Sequence, residues 1–331
     1  MPPITDVMRH IFALITVCVL LSVLTADEVS AAPLELGEKN TEFSLLPDQP
    51  IFSTDVDIFL GQKKRRRTGG GRVWTNLYYA DTTLKPKEGY KIDPNLYGFQ
   101  LGFDVAKSRG VYSTFFVNIN QSKMNFVGAS SKIDNYLLGY GKFIYLNTCH
   151  FTFTGSIAYD RYEVSAARTT GTGDGLQTNL FGEFGLDFIF GKWGIKPFYA
   201  LQYDFLYHGN INDHATVLLS DWNGHGLQQL FGLRLNWKAT TILELQGRSV
   251  WVHEMLDNPP PFYRGRFSPV HGVNTPAIMF YKGNTGRDWA WLGLGVKLES
   301  IFNVYLFCDY DLLINERHVT HLGSLGLCLG W

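Results

Sequence analysis

Ten charged side chains fall on the polar face of segments in which polar and apolar residues alternate: Asp104, Asp160, Glu183, Asp187, Asp204, Arg234, Glu244, Arg248, Lys297 and Glu299. Acids and bases intermix along that face. Such a lining can solvate a threaded polypeptide, hold a plug by ion pairs, or simply fill a wet interior. Glu244, Gln246 and Arg248 show the pattern locally, since they share the face opposite Leu243 and Leu245. Catalysis finds less support. His253 stands beside Glu254, which suggests general-base chemistry, but neighbouring residues of a strand point to opposite sides and cannot act together. By parity His253 belongs with Leu243, Leu245 and Trp251. No Ser-His-Asn or Asp-His constellation emerges. His214, His225, His271, His318 and His321 are scattered without ligand spacing. No catalytic residue, metal site or cofactor is therefore expected, and the chain reads as a non-enzyme. Of the four cysteines, Cys149, Cys308 and Cys328 lie beyond the first 31 residues, odd in number and without C-x-x-C spacing. Cys308 and Cys328 fall on neighbouring segments with opposite parity, so no bridge is expected between them.

One basic run stands out, Lys63-Lys64-Arg65-Arg66-Arg67. Inside a pore it would meet acids such as Glu183, Asp187 and Asp204, and pairing gains strength where water is restricted. As a solvated linker it would meet only water. Over the whole chain the charges nearly cancel, 29 basic against 30 acidic, which points to no nucleic-acid partner.

The elements that must carry these residues are strands. Aromatic residues make up 15% of the chain and charged residues only 18%, yet mean hydropathy is −0.05. Past residue 31 no apolar run approaches the roughly 18 residues of a spanning helix. From Arg72 onward, segments of alternating polarity are separated by clusters of Gly, Asn, Asp and Pro. Tyr97, Phe99, Leu101, Phe103 and Val105 alternate with Gly98, Gln100, Gly102 and Asp104. Between 227 and 237, Leu227, Phe231, Leu233, Leu235 and Trp237 oppose Gln228, Gly232, Arg234 and Asn236. Period two gives each segment one oily and one polar face. The polar faces are too charged for the core of a soluble sandwich. Trp74, Tyr78, Tyr79, Trp237, Trp251, Trp289 and Trp291 gather near segment ends, as interfacial girdles do. About twelve segments are counted, an even number suited to both termini on the periplasmic side. The expected fold is all-β: a transmembrane, antiparallel, up-and-down β-barrel. Its long connections are expected after Ala80, Gln121, Ala166, His208 and Leu256. Inward glycines (Gly98, Gly102, Gly185, Gly232, Gly293, Gly295) are expected to leave room for a central segment.

Residues 1–31 read as a signal peptide. Arg9 and His10 precede an apolar stretch from Ile11 to Leu24, and Val29-Ser30-Ala31-Ala32 offers small residues for cleavage. Residues 32–71 form a polar leader or vestigial passenger with no β-helix repeats, and 72–331 the barrel. The last segment places Leu325, Leu327, Leu329 and Trp331 on one face. A terminal aromatic preceded by alternate apolar residues looks like the assembly signal of outer-membrane barrels.

Several segments resemble, in order, the autotransporter (type V secretion) β-domain family. They are Pro197-Phe198 with Leu201 and Tyr203; Leu230 to Leu235; Trp251-Val252-His253-Glu254 with Asp257; Arg287-Asp288 leading into Leu292 to Val296; and Leu306 to Asp311. The terminal Trp331 departs from the family's usual Phe. The resemblance implies a twelve-strand barrel pierced by an N-terminal segment, in the outer membrane of a Gram-negative bacterium, assisting export or display of that segment. Its implied partners are outer-membrane lipid, the barrel-assembly machinery, periplasmic chaperones and its own leader, with the barrel acting as a monomer. A channel or structural component without cargo is the alternative, and an outer-membrane hydrolase a third.

Overall fold

The computed structural model describes residues 71–84, 93–108, 111–126, 129–146, 148–166, 169–209, 211–213, 216–219, 222–256, 263–265, 278–280, 288–299, 304–315 and 318–330. The expected signal peptide, the leader with Lys63–Arg67, and Trp331 lie outside them. Twelve long strands follow one another along the chain. They are β1 (Gly71–Leu84), β2 (Asp93–Ser108), β3 (Val111–Phe126), β4 (Ala129–Leu146), β5 (Cys149–Ala166) and β6 (Thr169–Leu186). After them come β7 (Trp193–His208), β8 (Trp222–Lys238), β9 (Leu243–Glu254), β10 (Asp288–Glu299), β11 (Val304–Ile314) and β12 (His318–Gly330). Each pairs antiparallel with the next, and β12 returns to β1, from Arg72↔Gly330 to Leu84↔His318. A ring leaves no edge strand with unpaired backbone groups, which is what the interior of a bilayer demands.

Parity divides the ring. Leu77, Leu101, Phe115, Leu138, Leu294 and Leu325 are exposed on the outside, Leu294 by 70 %. Polar tips mark one rim of this oily band. The Tyr97 hydroxyl donates to Gln121, and Trp251 Nε1 and His253 Nδ1 lie 3.0 and 2.9 Å from Asp288. Tyr203 and Tyr310 reach His225 and His321 at 2.6 and 2.7 Å. At the other rim Trp193 stacks on Trp237, ring centroids 5.5 Å apart. Trp193 and Tyr203 are ten residues apart on β7. At about 3.3 Å per residue and the usual tilt, that is roughly 25 Å of membrane normal, the height of a spanning apolar band.

Two expectations need correction. Trp74, Tyr78 and Trp291 are buried on the inner parity and Trp289 shares it, so of the seven aromatics named for the girdles only Tyr79, Trp237 and Trp251 face outward. Their strands are greasy on both sides there, and end-of-segment position alone did not reveal the facing. Nor are there long connections after Gln121 and Ala166. The β3–β4 ladder runs on to Phe126↔Ala129, and β5–β6 to Ala166↔Thr169. Polarity rises there because both faces leave the bilayer, while backbone pairing continues. The long connections are 85–92, 209–221 and 255–287. Short pairs lie within the last two: 211–213 with 216–219, and 263–265 with 278–280.

The inward glycines are occupied. A Cβ at Gly98 would overlap Tyr78, at Gly102 Trp74, at Gly185 His150, and at Gly232 Phe198. At Gly293 it would meet Arg248 and Asp311, and at Gly295 Asp309. Large side chains from the adjacent strand lie flat over each glycine, so the space belongs to the wall.

Candidate functional site: the barrel lumen

Asp104, Asp160, Glu183, Asp187, Arg234, Glu244, Arg248 and Lys297 are all buried on the inner face. Asp204 and Glu299 share that parity and are half-buried. The strand ladder decides which of them meet. Lys196, Arg234 and Arg248 stand directly opposite one another on β7, β8 and β9. Three like charges in a row repel, and carboxylates at both ends of the row offset them.

On the β6 side, Arg234 Nη1 and Nη2 each donate to Glu183 at 2.8 Å. The guanidinium lies over the Phe198 ring, 3.9 Å from its centroid. His150 Nε2 is 2.9 Å from the same carboxylate, and its Nδ1 is 2.9 Å from Asp187. A ring with a carboxylate on each nitrogen fits as a double donor. Lys196 Nζ closes the chain at 3.5 Å from Asp187. On the β11 side, Arg248 Nε and Nη2 each donate to Asp311 at 2.6 Å, and Trp291 Nε1 adds a third bond at 2.8 Å. Paired forks of this kind fix planar geometry as well as charge.

Two of the acids named for the basic run, Glu183 and Asp187, thus have partners in the wall. Asp204, the third, accepts from Asn179. Across the lumen the lining is mostly neutral: Tyr78 donates to Asn118 at 2.8 Å, and Asn120, Asn135 and Asp160 form a chain at 2.9 and 2.6 Å.

Beyond the charged row lies a feature that alternation concealed. Ala200, Leu230, Val252 and Trp289 stand opposite one another on β7 to β10, and Phe198, Val250, Trp291 and Leu313 fill the next level. With Phe181 they form one apolar cluster, nearly all of it buried. Sequence reasoning also missed His150, Lys196, Asp309 and Asp311 as lining residues. Lys196 and Asp311 were legible by parity, but their partners depend on ladder register. Cys308 is exposed on the outer face and Cys328 buried on the inner one, on opposite faces as expected. The outward Leu325, Leu327 and Leu329 share one parity. Among the described residues no group of three or more His, Cys, Asp or Glu is placed to hold a metal.

Solved structures similar to this ring include autotransporter translocator domains. The translocator domain of the autotransporter NalP from Neisseria meningitidis matches with a TM-score of 0.65 at 14% identity, over 80% of this chain and 89% of that one. The β domain of the Bordetella autotransporter BrkA matches at 0.60 and 12%, over 80% and 100%. The transport unit of AIDA-I from Escherichia coli matches at 0.58 and 14%, over 82% and 93%. At such identity these show the fold. No curated protein matches by sequence. The family model for the autotransporter β-domain matches residues 73–311, most of the barrel. This chain therefore belongs to the autotransporter β-domain family, as a translocator barrel of the Gram-negative outer membrane.

Proposed function

We propose that the barrel assists export or display of its own N-terminal segment, residues 32–71, through the lumen. One observation carries the reading: in a ring of autotransporter type, the inward row of Lys196, Arg234 and Arg248 is paired with Asp187, Glu183 and Asp311 of the same wall. A wall of self-paired ions presents polar surface without a strong net field, so a polypeptide can pass without being trapped by any one charge. The leader joins β1 at Gly71, on the rim where Trp193 and Trp237 stack. From there it can rise through the ring and emerge at the rim marked by Tyr203 and Trp251.

Insertion requires partners as well. Leu325, Leu327 and Leu329 offer an amphipathic last strand, followed in sequence by Trp331, for the barrel-assembly machinery, with periplasmic chaperones guarding the unpaired strand beforehand. The mature barrel works as a monomer, a reading supported by a ring that closes within one chain.

A short epitope placed within residues 33–50 tests the reading. Intact cells should bind a membrane-impermeant antibody against it. Binding only after the outer membrane is permeabilised would overturn export.

A further inference from the structure

Above the apolar band the inner face turns polar again, and there it carries oxygens in place of cations. Asn179, Asp204 and Gly226 stand opposite one another on β6, β7 and β8, and Gln202, Gln228 and Glu254 do so one level lower on β7, β8 and β9. The height is that of the rim, since Tyr203 and His253 are their neighbours in sequence. Asp204 accepts from the Asn179 and Gln202 amides, and Glu254 Oε1 from the backbone of Leu227 and Leu256 at 2.9 and 3.3 Å. One oxygen of each carboxylate turns toward the same spot. A Cβ built on Gly226 would lie 3.5 Å from Glu254 Oε2 and 3.9 Å from Asp204 Oδ2, and glycine leaves that place open.

Two carboxylates alone would only repel each other, but two neutral groups beside them point to a ligand. Asn179 is 1 % exposed and Gln228 8 %, yet Asn179 Oδ1 and Gln228 Oε1 find no hydrogen-bond donor among the described residues. A buried acceptor left without a partner is costly. The Asn179 amide lies against Asp204, and Gln228 stands between Gln202 and Glu254, so both oxygens adjoin the acidic pair. No lysine or arginine of these strands serves them. Among the described residues of β6 to β9, every one stands on or below the Lys196–Arg234–Arg248 row. We propose that this cluster is a calcium site, with Asp204 and Glu254 supplying charge and Asn179 and Gln228 carbonyl oxygen. Calcium accepts roughly six to eight oxygens from carboxylates, side-chain amides and water in a flexible shell, whereas magnesium demands a compact octahedron and keeps its water. Half the set is neutral amide, so the spacing of His, Cys and acidic residues gave no sign of it. With two charges and one side open to the lumen, the affinity belongs to the weak class, about 0.1–1 mM. Bound there, the ion ties β6, β7, β8 and β9 together at the rim, whatever route the leader takes.

Calcium titrated into the chelator-treated, full-length protein in detergent tests the site, read by calorimetry and by the thermal unfolding midpoint. One calcium per chain should bind, and about 10 mM should raise the midpoint by a few degrees. Asp204→Asn and Glu254→Gln should each weaken binding by about tenfold or more and still fold, because they relieve repulsion between the acids. Gly226→Ala keeps both acids but fills the place between them, and should weaken binding by a similar factor. Glu163→Gln, on the outer face, should leave binding unchanged. No binding up to about 10 mM, well above the expected range, would overturn the site, as would equal affinity in the Glu254→Gln and Gly226→Ala variants. Magnesium binding as tightly as calcium would also overturn it, being the mark of loose counter-ions on an acidic surface.

Discussion

Glu183 shows what a single inward side chain does here. It accepts two bonds from Arg234 and faces His150, all of them buried. Removing one partner of a buried pair strands the other charge, at a cost of about 3–5 kcal/mol. Glu183→Gln should therefore lower the stability of the detergent-folded barrel by about that amount, read as a shift in the denaturant midpoint. Adding Arg234→Met should recover much of the loss, because the orphaned cation is gone. A single substitution with no measurable effect would mean that Glu183 and Arg234 do not pair. The cysteines test facing at the same scale. In native membranes Cys308 should react with a lipid-soluble maleimide, while buried Cys328 should stay unmodified until the barrel is unfolded.

Strands trade glycine against bulk across the ladder. Gly232 receives the Phe198 ring, whereas Gly182 faces outward with open space. Gly232→Val should push Phe198 and Arg234 off the wall and destabilise by about 1–3 kcal/mol, the usual range for overpacking. Gly182→Ala should be close to neutral; equal losses in a refolding titration would mean that the flat-ring packing is absent. Leu294→Arg, on the outer face of β10, should cost about 2–4 kcal/mol near the bilayer midplane, measured by folding into lipid vesicles. The strands were legible in the sequence because period two survives any local composition, and all twelve fall where alternation puts them. Their ends were not. Lys132, Asp134, Arg161 and Glu163 look like loop residues, yet they continue ladders beyond the oily band. Where both faces are apolar, as at Leu230-Phe231 or Val250-Trp251-Val252, the alternation loses contrast, and the inner band vanished into what looked like more outer face.

For the molecule as a whole, the sequence carried the polar inner face and not its pairing. Parity alone put Glu183, Arg234 and Arg248 inside. That Arg234 meets Glu183 and Arg248 meets Asp311 follows from the stagger between strands, which no single strand encodes. The same stagger sets the seam between β1 and β12, and closure of that seam underlies the lipid-facing exterior, the sheltered ion pairs and the passage proposed for the leader. Leu77 and Leu325 stand directly opposite across it, both facing outward. Opposed residues of an antiparallel ladder lie within disulfide reach. With Cys149, Cys308 and Cys328 replaced by Ala, a Leu77→Cys, Leu325→Cys chain oxidised in outer membranes should form an intramolecular bond in high yield. Moving one partner to Thr82 should abolish it. Only intermolecular bonds, or none, would mean that the sheet does not close on itself.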